Sequence, residues 1–81
     1  MVVSIEVAEV PGGWRLVVGG RPAALYRSAA DAATGTEEIV RAILATGEAD
    51  EGVSVSWRPT TPVGRALVRT LRRARWPRTT P

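Results

Sequence analysis

Residues Ser28–Gly47, SAADAATGTEEIVRAILATG, form the one long segment whose apolar residues recur with a helical period. Ala29, Ala32, Ala33, Thr36, Ile39, Val40, Ile43 and Leu44 fall on one side at i, i+3, i+4 spacing. Asp31, Thr34, Glu38, Arg41 and Ala45 fall on the other. A stripe of that kind must be buried against another element, and the flanking chain offers only short β-type runs. The spacing therefore predicts a helix laid across one face of a small sheet. Ser28 is its N-cap, with Asp31 in the capping-box position, and Gly47 is its C′ residue. Gly35 leaves two readings open. One helix carries a weak point there, costing about 1 kcal/mol relative to Ala. Alternatively a short turn gives way to a helix from Glu37, where Thr36 and two carboxylates make a fresh start signal. The dependable part is Glu37–Thr46.

Upstream, VVSIEVAEV at Val2–Val10 alternates Val3, Ile5 and Val7 with Ser4, Glu6 and Ala8, as a half-buried strand does. Pro11-Gly12 is a turn signal, and Trp14–Val18 is a second strand with Trp14, Leu16 and Val18 on one face. Centring the loop on Pro11-Gly12 sets Val7 opposite Leu16 and Ile5 opposite Val18, so the apolar faces coincide. Gly19-Gly20 suits a type I′ hairpin. That loop pairs Val18 with Arg21, Leu16 with Ala23 and Trp14 with Leu25, and it puts Tyr26 on the opposite face with Arg15, Val17 and Ala24. Pro22 cannot donate to a ladder, so the third strand, Pro22–Arg27, is an edge.

Downstream, an acidic loop at Glu48–Gly52 precedes VSVSWR at Val53–Arg58, a strand with Val53, Val55 and Trp57 on one face. Thr61 as N-cap and Pro62 at N1 start a second helix, running to about Arg75 or Trp76, with residues 77–81 disordered. The order is βββαβα, an α+β fold. A right-handed crossover brings strand four parallel to strand one, giving a four-stranded mixed sheet of order 3-2-1-4. One helix packs on a face, over Val3, Ile5, Val7, Trp14, Leu16, Leu25, Val55 and Trp57. The chain reads as a single domain, with a compact α+β body at 1–58 and an Arg-rich helix and tail at 59–81.

Composition removes most catalytic chemistry. The 81 residues include no Cys and no His, so Ser–His and Cys–His pairs and the commonest metal ligands are excluded. Glu6, Glu9, Asp31, Glu37, Glu38, Glu48, Asp50 and Glu51 are scattered over strands, helix and loop, and read as solvated charges. Neither Gly-Gly pair has phosphate-loop spacing. The expectation is a non-enzymatic protein with no metal site and no cofactor. The N-terminus lacks a signal-peptide pattern and no apolar run spans a bilayer, which points to the cytoplasm and away from membranes.

Charge is divided unevenly. All eleven basic residues are Arg. Residues 1–57 hold all eight acids and four Arg, whereas residues 58–81 hold seven Arg and no acid. On the second helix, Val63, Ala66, Leu67, Thr70, Leu71 and Ala74 cluster on one side, with Arg65, Arg69, Arg72, Arg73, Arg75 and Trp76 spread over the other. With Arg78 beyond, they are the candidate binding residues for nucleic acid or an acidic partner. Arg attracts phosphates through charge neutralisation and counterion release, and Trp76 offers a stacking surface. The competing reading is a solvated or self-paired Arg face, with the protein acting as a structural or regulatory oligomer that has no nucleic-acid role.

The order βββαβ, with PGGWRLVV entering the second strand and YRSAADAATGTEEIVRAIL leading into the helix, resembles HicB-like antitoxin domains over about residues 2–57. The matching residues are Gly13, Trp14, Ser28, Asp31 and Ala32. The family's glycine-rich segment ahead of the helix is replaced by RPAALYRS. The resemblance implies a partial RNase H-like fold. It also implies a small oligomeric protein that binds a partner protein and, through a C-terminal element, often DNA. No functional residue carries over.

Overall fold

The computed structural model describes residues 2–47 and 49–75, with side chains through Arg72. Strands β1 (Val3–Val10), β2 (Gly13–Val18) and β3 (Arg21–Tyr26) precede helix α1 (Ala29–Thr46). Strand β4 (Val53–Arg58) and helix α2 (Pro62–Arg75) follow. The sheet order is β3-β2-β1-β4, with β4 parallel to β1 and the other pairs antiparallel. This is the α+β architecture that the sequence pattern predicts. The β1–β2 register also matches, with Ile5 opposite Val18 and Val7 opposite Leu16. No helix among the described residues is long and apolar enough to cross a membrane.

The second hairpin departs from the expected register. Gly19 and Gly20, at φ 57° and 83°, make the turn and set Val18 opposite Arg21 as anticipated. The ladder then slips. Val17 faces Pro22 but Leu16 faces Ala24, leaving Ala23 as the extra residue of a bulge. Every side chain beyond it changes face. Tyr26, not Leu25, sits opposite Trp14. Leu25 is 71% exposed and Tyr26 packs against the core. The expected core place of Leu25 is thereby corrected.

Tyr26 also explains Gly35. α1 is one continuous helix, and a Cβ at position 35 would collide with the Tyr26 phenol. The glycine is a notch that admits the ring. Ser28 Oγ accepts from the Asp31 N–H at 3.1 Å, and the Gly47 N–H closes the C-terminus on Leu44 C=O. Glu37–Thr46 is helical as expected, and the turns ahead of it, which Gly35 left open, are helical too and the more deeply buried. Ala29, Ala32, Ala33, Gly35 and Thr36 are buried, whereas Leu44 is exposed. Small residues let the N-terminal half lie close to the sheet, and Thr36 satisfies its hydroxyl by donating to Ala32 C=O at 2.7 Å.

The core joins Ile5, Val7, Trp14 and Leu16 to Ala29 and Ala32 of α1 and Val68 of α2. Trp14 and Trp57 meet edge-on, ring centroids 5.9 Å apart. Both helices therefore lie on the same sheet face. The shortest extent, 16 Å, is that of a sheet with one helical layer. The opposite face carries Ser4, Ser54, Ser56 and Arg58, with Arg58 paired to Glu6 at 2.9 Å. No described element covers that face.

Candidate nucleic-acid interface

α2 begins where β4 ends, and one carboxylate fixes its first turn. Alternation along β1 turns Ile5, Val7 and Glu9 to the helical side, and the parallel β1–β4 pairing brings the segment after Arg58 alongside. Glu9 Oε1 accepts from the Thr60 N–H at 2.7 Å and the Thr61 N–H at 2.9 Å. The Thr61 hydroxyl donates to Oε2 at 2.8 Å. The Thr60 hydroxyl adds a longer bond to Oε1 at 3.3 Å. Thr61 Oγ1 in turn accepts from the Gly64 N–H at 2.9 Å, as an N-cap does. A Cβ at position 64 would strike the Glu9 carboxylate. The hydrogen bond from the Thr60 backbone, helped by those from Thr61, outweighs partial desolvation and holds the Glu9 carboxyl below the usual carboxylate range. A negative charge also complements the helix N-terminus. Glu9 is therefore a structural clasp, not the solvated charge expected from sequence. The signal was present in the inward phase of Glu9, but its partners lie more than fifty residues away.

The clasp sets which side of α2 faces inward. Gly64 and Val68 are buried and Leu71 is half-buried. Val63 and Leu67, on the apolar side of the helical wheel, are 69% and 45% exposed, and Ala66 and Thr70 are exposed as well. The docked stripe thus lies about a quarter turn from the apolar side of the wheel. The wheel followed hydrophobicity, whereas the first turn docks through its smallest residue.

The predicted binding residues divide as follows. Arg65, Arg69 and Arg72 are exposed on α2, and their i, i+4, i+7 spacing aligns them on one stripe. None of the three makes an ion pair among the described residues. Arg73 and Arg75 belong to the last turn of α2, with side chains outside the described part. Trp76, Arg78 and the tail expected to be disordered lie outside the described residues. Arg72 also borders a cleft of about 390 Å³ whose other walls, among the described residues, include Val40 of α1 and Val53, Val55 and Trp57 of β4. Sequence reasoning missed that cleft, because it joins three elements distant along the chain.

The described Asp and Glu residues form no group of three able to hold a metal ion. No protein-family model, curated protein or solved structure matches this chain.

Proposed function

We propose that this protein is a non-enzymatic interaction module that binds nucleic acid through the Arg stripe of α2. The carrying observation is that Arg65, Arg69 and Arg72 are exposed in line with no ion pair among the described residues. The carboxylate nearest the start of that helix, Glu9, is committed to Thr60 and Thr61. A cationic stripe left without carboxylate partners is suited to phosphate oxygens, which the guanidinium fork can contact in pairs. Arg73 and Arg75 add charge in the next turn, and Trp76 adds an aromatic face. The lack of Cys and His supports a binding role over catalysis. The HicB-like resemblance, with its C-terminal DNA-binding element, is in keeping with this reading.

The test is binding to mixed-sequence DNA and RNA across a salt series, for the whole chain and for a variant with Arg65, Arg69, Arg72, Arg73 and Arg75 changed to Gln. Affinity should fall with salt, and on duplex DNA the log–log slope should flatten by up to about 4.5 in the variant, at roughly 0.9 for each phosphate no longer neutralised. No binding at low salt, unchanged binding in the variant, or capture of acidic polypeptide in preference to nucleic acid overturns the proposal.

A further inference from the structure

We propose that β4 is a self-association edge, at which a second copy of this chain adds its own β4 antiparallel about a two-fold axis at Val55. The inference stands on β4 and its flanks alone, whatever α2 binds. The Val3 N–H donates to Gly52 C=O at 3.2 Å. In a parallel pair, successive residues turn their backbone groups alternately toward and away from the neighbouring strand. Ser54 and Ser56 therefore turn theirs to β1, and Val53 and Val55 turn theirs outward. β4 ends the sheet, so no described strand lies on that side. The strand is six residues long, regularly paired to β1, and carries no Pro and no charge on its inner face. It thus lacks the usual devices that blunt an edge.

Charge selects the occupant and its direction. Asp50 and Glu51 precede β4, and Arg58 ends it. A parallel copy would set acid beside acid and Arg beside Arg. An antiparallel copy sets Arg58 of each chain, which also pairs with its own Glu6, opposite Gly52 and so next to the acidic start of the other, where unlike charges attract. The outward backbone groups fix the register. Val55 exchanges both hydrogen bonds with Val55 of the second copy, Val53 lies opposite Trp57, and Ser54 lies opposite Ser56 across a non-hydrogen-bonded site. Opposed residues share a face, so the second copy's Val53, Val55 and Trp57 would prolong the apolar wall that Val53, Val55 and Trp57 give the cleft.

The chain has no Cys, which makes the register directly testable. Full-length Ser54→Cys and Ser56→Cys proteins are oxidised mildly, separately and as a mixture. A non-hydrogen-bonded antiparallel pair brings facing Cα atoms within disulfide range. The mixture should therefore give a cross-linked 54–56 heterodimer, and each protein alone should give little. Sedimentation of the unmodified chain should show a dimer. Val55→Pro, which removes an outward N–H and spares the β1 ladder, should bring the mass down to one chain while circular dichroism stays native. Glu51→Arg or Arg58→Glu should each weaken association, and the double variant should restore it. A monomeric wild-type chain overturns the proposal, whether or not it takes an extended peptide of another protein at β4. So does a dimer that survives Val55→Pro, or cross-linking equal in all three samples.

Discussion

The two edges of the sheet are built on opposite plans. β3 carries Pro22, a bulge at Ala23 and Arg21 at its start, and Tyr26 ties its end to the notch at Gly35. β4 has none of these and borders a cleft. Both strands are six residues long, so length does not distinguish them. The difference lies in what each edge offers a passing strand. β3 interrupts its ladder and commits its aromatic ring to the chain's own helix. β4 presents an even ladder with apolar side chains beside it. An edge is closed by irregularity as effectively as by a covering element.

That contrast can be broken at several points. The largest effect is expected for Trp57→Ala, which removes a wall of the cleft and the edge-on packing with Trp14. It should cost about 3 kcal/mol, the low end for truncating a large aromatic, because Trp57 is half-buried. Denaturant unfolding measures it, and a loss below about 1 kcal/mol would mean that the β4 side contributes little to the core. Gly35→Ala comes next. In an unconstrained helix the change would stabilise, but here overpacking against Tyr26 should destabilise by about 1–2 kcal/mol. Combining it with Tyr26→Leu should recover most of that loss, and simple additivity would show that the ring and the notch are unrelated.

Glu9 gives a local effect on α2. Its carboxyl is held below the usual carboxylate range by Thr60 and Thr61. A carboxyl depressed on folding contributes stability above its unfolded pKa and loses it as pH falls through the folded value. α2 should therefore be held firmly at neutral pH and loosen in acid below the ordinary carboxylate range. Hydrogen exchange of α2 amides measures this. Glu9→Gln should show the loosened pattern already at neutral pH, with little further response to acid. The smallest change in stability is expected for Pro22→Val, within about 0.5 kcal/mol, as for other surface positions. Its consequence should instead be concentration-dependent association through β3, read by light scattering. If association stays unchanged, the bulge alone closes that edge.

Much of this fold was legible locally. Alternation in β1, β2 and β4, the Gly-Gly turn, and the caps at Ser28 and Gly47 are short-range signals, and together they yield the sheet order. The misses share one cause. Tyr26, Gly35, Glu9 and Gly64 each owe their role to a partner on another element, which no local pattern encodes. Tyr26 and Gly35 were read separately, as a second-face aromatic and a helix defect, although each explains the other. The wheel for α2 groups Val63 and Leu67 by hydrophobicity but leaves the docked side open, and the structure docks Gly64 and Val68 instead. The Arg stripe was legible as charge, but the cleft beside Arg72 was not, because its walls come from α1, β4 and α2.

The Glu9 clasp has a consequence for the angular phase of α2. Each residue of an α-helix is turned by about 100° from the last, at 3.6 residues per turn. A hold on the first turn therefore sets where every later side chain points. With Thr60 and Thr61 seated on Glu9, Arg65, Arg69 and Arg72 face solvent in one line. A slip of a single residue would rotate Val63 and Leu67 toward that bearing and carry the guanidinium groups away from it. One acidic side chain on the first strand thus aims a row of basic ones on the last helix.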